Sequence, residues 1–162
     1  MTNSLLLRPA VGMRQIVAVP YVVALGACEA RPNTAIAWPY GLVDSSTGEE
    51  VGSIKAHAGY DEGMFVRVEL DLPEDVSAQV QARVDAWAMA LAGRPVVGPL
   101  APVLADYAER IHNLGSSVEV VYPNGKVRAR ETFAGIDVWG RATVRLPDGD
   151  EMEFPPEQFG IR

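Results

Sequence analysis

From Gln15 to Cys28 the chain runs for fourteen residues without a charge. Valine and alanine dominate the stretch, and Pro20 fits a first helical turn, where its missing N–H costs nothing. The spacing predicts a helix over roughly Pro20 to Arg31, closed by Glu29 and Arg31. A helix apolar all round has no face to give to water, so it must be buried against a sheet. Spanning a bilayer needs about 20 apolar residues, so the segment is too short to cross a membrane.

The same stretch admits a second reading. Arg14, the apolar run and Leu25-Gly26-Ala27-Cys28 together look like a bacterial lipoprotein signal, with Cys28 as the lipidated residue. Pro20 interrupts the run and no polar tether follows the cysteine, so the chain is read as cytoplasmic, with a lipid anchor at Cys28 as the alternative.

Composition bounds the rest. A chain of 162 residues buries enough surface to fold without metal or disulfide. A single cysteine excludes an internal disulfide, and with only His57 and His112 little remains for a metal site. The net charge of −7 argues against nucleic acid as a partner, because phosphate contacts need clustered cations. Only two lysines are present, Lys55 and Lys126, so any lysine-dependent chemistry has just these to use.

Along the chain the hydrophobic period changes twice. Ser4–Leu7, Thr34–Trp38, Val51–His57 and Met64–Leu72 read as strands, with Asp44–Gly48 as a turn. In the last of them Arg67, Glu69 and Asp71 alternate with Val66, Val68 and Leu70, giving one polar face and one core face of an antiparallel meander. Asp75 is placed as the N-cap of a helix carrying Val76, Val80, Val84, Trp87 and Leu91, stopped by Gly93. A Pro- and Gly-rich link leads to another helix, with Val103, Leu104, Tyr107, Ile111 and Leu114 on one face and Gly115 as its stop. From 115 to 162, four short strands separated by tight turns suggest a small SH3-like barrel.

Recognisable chemical motifs are few. There is no dinucleotide fingerprint, Walker sequence or nucleophile elbow. Cys28 reads as a buried thiol, and His57 and His112 as structural or surface histidines. Arg67, Glu69 and Asp71 could line a site, although a solvated sheet face explains them as well. Trp38-Pro39 marks an abrupt exit from a strand, where a core tryptophan is the simpler account.

In its order of elements the chain resembles the bacterial biotin protein ligases. Ala37-Trp38-Pro39-Tyr40-Gly41 stands where that family has Lys-Trp-Pro-Asn-Asp, and Gly48-Glu49-Glu50-Val51-Gly52-Ser53-Ile54 where it has Gly-x-Lys-hydrophobic-Ala-Gly-Ile. Phe65 to Asp71 matches its Gly-Ile-Gly-Ile-Asn strand. Ala134-Gly135-Ile136-Asp137, Gly140, Asp148-Gly149 and Gly160-Ile161-Arg162 match its C-terminal domain. The resemblance implies an α+β fold: a partial class II synthetase-like sheet with packed helices over 1–114, beginning just after the family's Gly-Arg-rich ligand loop, then an SH3-like domain over 115–162.

It also implies a ligand site at Trp38, Glu50, Gly52, Arg67 and Asp71, and there the chain departs from the family. The ligand lysine becomes Glu50, which turns attraction of a polyanion into repulsion, on the order of several kcal/mol at about 4 Å and an effective dielectric near 20. Five residues on, Lys55 is placed by strand alternation on the opposite face. Arg67 and Glu69 replace two glycines that let backbone approach ligand. The expectation is a vestigial site with no catalytic residue, no metal and no cofactor. Biotin and ATP enter only if a partner completes it. The protein is then a scaffold or interaction module, one subunit of a split ligase, or a small-carboxylate sensor. A homodimer or a complementary half-ligase chain is the expected partner, because a reduced sheet leaves edges free.

Overall fold

The structure is a computed structural model that describes residues 2–92, 94 and 98–162. It has two antiparallel sheets and three helices, an α+β fold. Strands β1 (Thr2–Leu7), β2 (Thr34–Ala37), β3 (Gly41–Asp44), β4 (Glu50–Tyr60) and β5 (Met64–Asp71) form the first sheet in the order β1-β5-β4-β3-β2. Strands β6 (Ser117–Val121), β7 (Val127–Ile136), β8 (Ala142–Arg145), β9 (Glu151–Phe154) and β10 (Gly160–Ile161) form the second, ordered β10-β6-β7-β8-β9. This is a meander whose short fifth strand returns to the first. No pairing of β9 with β10 closes it into a ring among the described residues.

The uncharged segment becomes helix α1 (Val19–Ala30), and every residue from Tyr21 to Cys28 is buried. Helix α2 (Ser77–Leu91) packs along α1, and both cover one face of the first sheet, where Leu5, Leu7, Val66, Val68 and Leu70 are buried. The opposite face is open. Across it the strand register sets Leu6, Arg67 and His57 in one row and Ser4, Glu69 and Lys55 in the next. Thr2, Asp71, Ser53 and Gly41 form a third row. The polar alternation in β5 is therefore a solvated sheet face.

Several local expectations change. Asp75 is not the N-cap of α2. Its carboxylate accepts the Ser77 N–H at 3.0 Å, while the N-cap is Val76, whose N–H donates to the Asn3 side chain at 3.2 Å. Asn3, only 5% exposed, also donates to the Glu74 carbonyl at 3.0 Å, so β1 itself holds the start of α2. Gly93, expected to stop α2, lies outside the described residues, as do 95–97 of the link that follows. Helix α3 is short, Leu104–Arg110, and its expected face dissolves at Ile111, which turns extended and bridges Ile36 in parallel. The His112 N–H donates to the Ile36 carbonyl at 2.9 Å, so this segment covers the outer edge of β2, and Leu114 is exposed. Strand β3 was not expected. Its pairing with β4 slips, since Leu42 faces Gly52 but Val43 faces Glu50, which leaves Val51 as an extra residue. This bulge breaks the alternation from Glu50 to Lys55, so counting along the strand does not place the two on opposite faces.

The two sheets meet at the β7–β8 turn, Asp137–Gly140. The Asp137 carboxylate accepts the N–H groups of Trp139 and Arg141, each at 2.9 Å, and fixes the turn. The carbonyl of Gly140 accepts two hydrogen bonds from the other unit, the Tyr21 hydroxyl at 2.8 Å and the Trp38 indole N–H at 2.8 Å. Leu100 N–H reaches the Val138 carbonyl at 2.9 Å. One hydrophobic core runs through both sheets and includes Phe133, Val144 and Phe154 of the second.

Candidate functional site

The segment after β2 turns sharply at the cis peptide Trp38-Pro39 and re-enters the sheet as β3. Beside it lies a cleft of about 430 Å³, between this turn, the start of β4 and the β6 and β10 strands of the second sheet. Trp38, Tyr40, Val43 and Ile161 give it mainly apolar walls, and Ser53 and Glu50 are its polar groups. Its size is that of a small-molecule pocket. Of its lining residues only Glu50 is charged.

The structure brings together part of the expected site. Trp38 and Glu50 border the same cleft. Trp38 is 3% exposed and spends its indole N–H on Gly140, so it is first a strut between the two sheets. Gly52 is buried, and a Cβ there would lie 2.2 Å from the Asp71 carbonyl oxygen, so its missing side chain serves packing against β5. Asp71 pairs laterally with Ser53, at the margin of the cleft. Arg67 pairs with His57 two rows away and does not line the cleft. Lys55 borders a separate recess of about 290 Å³ with Pro20, Tyr40, Ile54 and Ala56.

Biotin and ATP are the groups that the resemblance implies, and the residues present do not fit them. An acyl-adenylate carries a phosphate and needs cations close to it. The cleft offers one carboxylate and no cation among the described residues. On the open sheet face, where glycines would admit a ligand to the backbone, Arg67 and Glu69 are exposed side chains.

Three buried titratable groups lie elsewhere in the core. Burial pushes the Cys28 thiol up to about 12, so it is a neutral, unreactive side chain within α1. Attaching a lipid at Cys28 would require excising β1 and most of α1, whose residues form the core. Burial likewise raises Tyr21 and Tyr107. No group of three or more His, Cys, Asp or Glu side chains is arranged for a metal among the described residues. No helix among them is long and apolar enough to cross a membrane.

Sequence reasoning overlooked one feature. Tyr40 borders both the cleft and the Lys55 recess, and also a third cavity at the junction of the two sheets. That cavity draws on segments more than a hundred residues apart, from Val17 to Glu157. The one signal available was an exposed-looking Trp139-Gly140 turn followed by the Pro155-Pro156 pair.

No family model matches the chain, and no curated protein sequence does. Solved structures do. The apo biotin protein ligase of Aquifex aeolicus superposes with a TM-score of 0.70 at 14% identity, covering 99% of this chain and 81% of that one. The matched stretch thus takes in more than the second half of that protein. The same ligase in complex with biotin and ATP gives 0.64 at 13% identity, with 99% and 77% covered. The biotin acetyl coenzyme A carboxylase synthetase of Helicobacter pylori, with bound biotinylated ATP, gives 0.51 at 15% identity, with 94% and 73% covered. These likenesses show a biotin-ligase-like fold across essentially the whole chain.

Proposed function

We propose that this biotin-ligase-like fold carries no ligase activity on its own and serves as a scaffold or interaction module. The observation that carries the reading is the cleft beside Trp38, whose one charged wall residue is Glu50. A carboxylate at that place disfavours both the carboxylate of biotin and the phosphates of ATP. The bulk of the Arg67 and Glu69 side chains, where glycines would let a ligand reach the backbone, supports the same reading. Incubation with biotin, ATP and magnesium, followed by mass spectrometry, is expected to show no biotinyl-adenylate. Adenylate formed in proportion to protein would refute the proposal.

The interacting element in this reading is the outer edge of β1. The edge of β2 is covered by the segment that follows α3, whereas β1 pairs with β5 on one side only among the described residues. Its six residues, Thr2–Leu7, carry no charge, and Leu6 is 49% exposed, so the usual protection of an edge strand is missing. A second copy satisfies such an edge by antiparallel pairing about a twofold axis, and a complementary ligase-like chain would add to the same edge. Light scattering is expected to give twice the monomer mass, and Leu6→Lys to return the monomer. A monomeric wild-type protein at high concentration would contradict the pairing.

A further inference from the structure

We propose that the cavity at the junction of the two sheets binds a small quaternary ammonium compound. The cavity is about 400 Å³ and lies where two units meet, a common place for small-ligand sites. Two half-buried aromatic residues from separate segments line it, Tyr40 after the cis-proline turn and Trp139 in the β7–β8 turn, and the buried Tyr21 of α1 backs them. The Tyr21 and Tyr40 rings are 6.3 Å apart and inclined at 59°. Hydrogen bonds fix two of the three supports. Tyr21 is anchored on the Gly140 carbonyl, and Asp137 holds the backbone of Trp139. The Tyr21 ring and the Trp139 backbone are therefore in place before any ligand arrives, which lowers the ordering cost of binding.

The charge around the cavity selects the kind of ligand. Arg141 lies in the wall, but its guanidinium is engaged by Asp137 at 2.6 Å and by Glu153 at 3.2 Å. Glu157 also lines the cavity, is exposed, and has neither an ion pair nor a side-chain hydrogen bond among the described residues. One cation against three carboxylates leaves two negative charges at the site. Glu157 lines the same cavity as Tyr40 and Trp139, and its charge, after the larger effect of burial, raises the Tyr40 hydroxyl above its ordinary value. An anion is repelled by Glu157, and a neutral molecule gains from it at most a hydrogen bond, without the attraction of opposite charges. An alkylated ammonium gains twice, by contact with aromatic faces and by attraction to an unpaired carboxylate. Being alkylated, it also gives up little hydration on leaving water.

The test titrates choline against the full chain by calorimetry, with the shift of the Trp139 indole resonance read by NMR in the wild type to place the ligand. Its neutral carbon isostere, 3,3-dimethylbutan-1-ol, runs alongside. Choline is expected to bind saturably. The isostere, the Glu157→Gln variant and the Trp139→Ala variant are each expected to weaken binding about tenfold or more. Glu157 is exposed and unpaired, so its variant keeps the fold, which circular dichroism checks. Absence of saturation with choline overturns the proposal. Equal affinity for the isostere, or unchanged choline binding by Glu157→Gln, overturns it as well. Neither outcome bears on whether biotin binds, because Glu50 does not line this cavity.

Discussion

Replacing Gly140 by alanine is expected to cost about 3–5 kcal/mol of stability and to lower the melting temperature by about 10 °C. Two effects add. Gly140 has φ of +87°, a backbone region that disfavours any residue with a Cβ. A Cβ there would also lie 2.4 Å from Cζ of Tyr21 and 2.6 Å from its hydroxyl oxygen. Tyr21 cannot move aside, because it is 1% exposed and packed against Tyr107 at 5.5 Å. The turn must shift instead, and its carbonyl then releases both Tyr21 and Trp38. The loss should therefore appear as weaker coupling between the two sheets, with the second melting at lower denaturant than the first. Chemical denaturation followed by NMR reads both. A variant that melts in one transition within about 1 kcal/mol of wild type would show that the turn is not the joint.

Trp87→Ala is the second large effect. Trp87 is 1% exposed on the inner side of α2, and its indole N–H donates to the Pro99 carbonyl at 2.8 Å. Truncation leaves a cavity, with an expected cost of about 3–5 kcal/mol, and strands a buried carbonyl besides. Trp87→Phe keeps most of the volume and loses only the hydrogen bond, at about 1–3 kcal/mol. Equilibrium unfolding of both variants separates the terms. Equal losses would mean that packing at Trp87 contributes little.

These two residues also show what the sequence could and could not reveal. Helix α1 was legible because fourteen uncharged residues interrupted only by Pro20 call for a buried helix, and β5 because its alternation is unbroken. Trp87 was placed on the core face of α2 by helical spacing alone. Strand β3 was lost because Gly41–Asp44 has four residues and runs into a turn. The end of α3 was misplaced because Ile111 leaves the helical face to bridge Ile36, a contact 75 residues away in sequence that periodicity does not carry. Lys55 was assigned a face by counting, and a one-residue bulge at Val51 undid the count.

The candidate site divides in the same way. Glu50 and Trp38 could be picked out because they depart from, or match, a motif whose order survives. Nothing local indicated that the Trp38 indole spends its hydrogen bond on Gly140, or that Gly52 is held against Asp71 by packing. The junction cavity was invisible for a more general reason. Its rings come from α1, the turn after β2 and the β7–β8 turn, and only the docking of two sheets brings them together.

The central claim is that a biotin-ligase-like fold persists here around a cleft that rejects the ligase's ligands. Calorimetric titration of biotin into the full chain, in the presence of ATP and magnesium, tests it most directly. The account expects no heat beyond dilution. A saturable isotherm with micromolar or tighter affinity would contradict it.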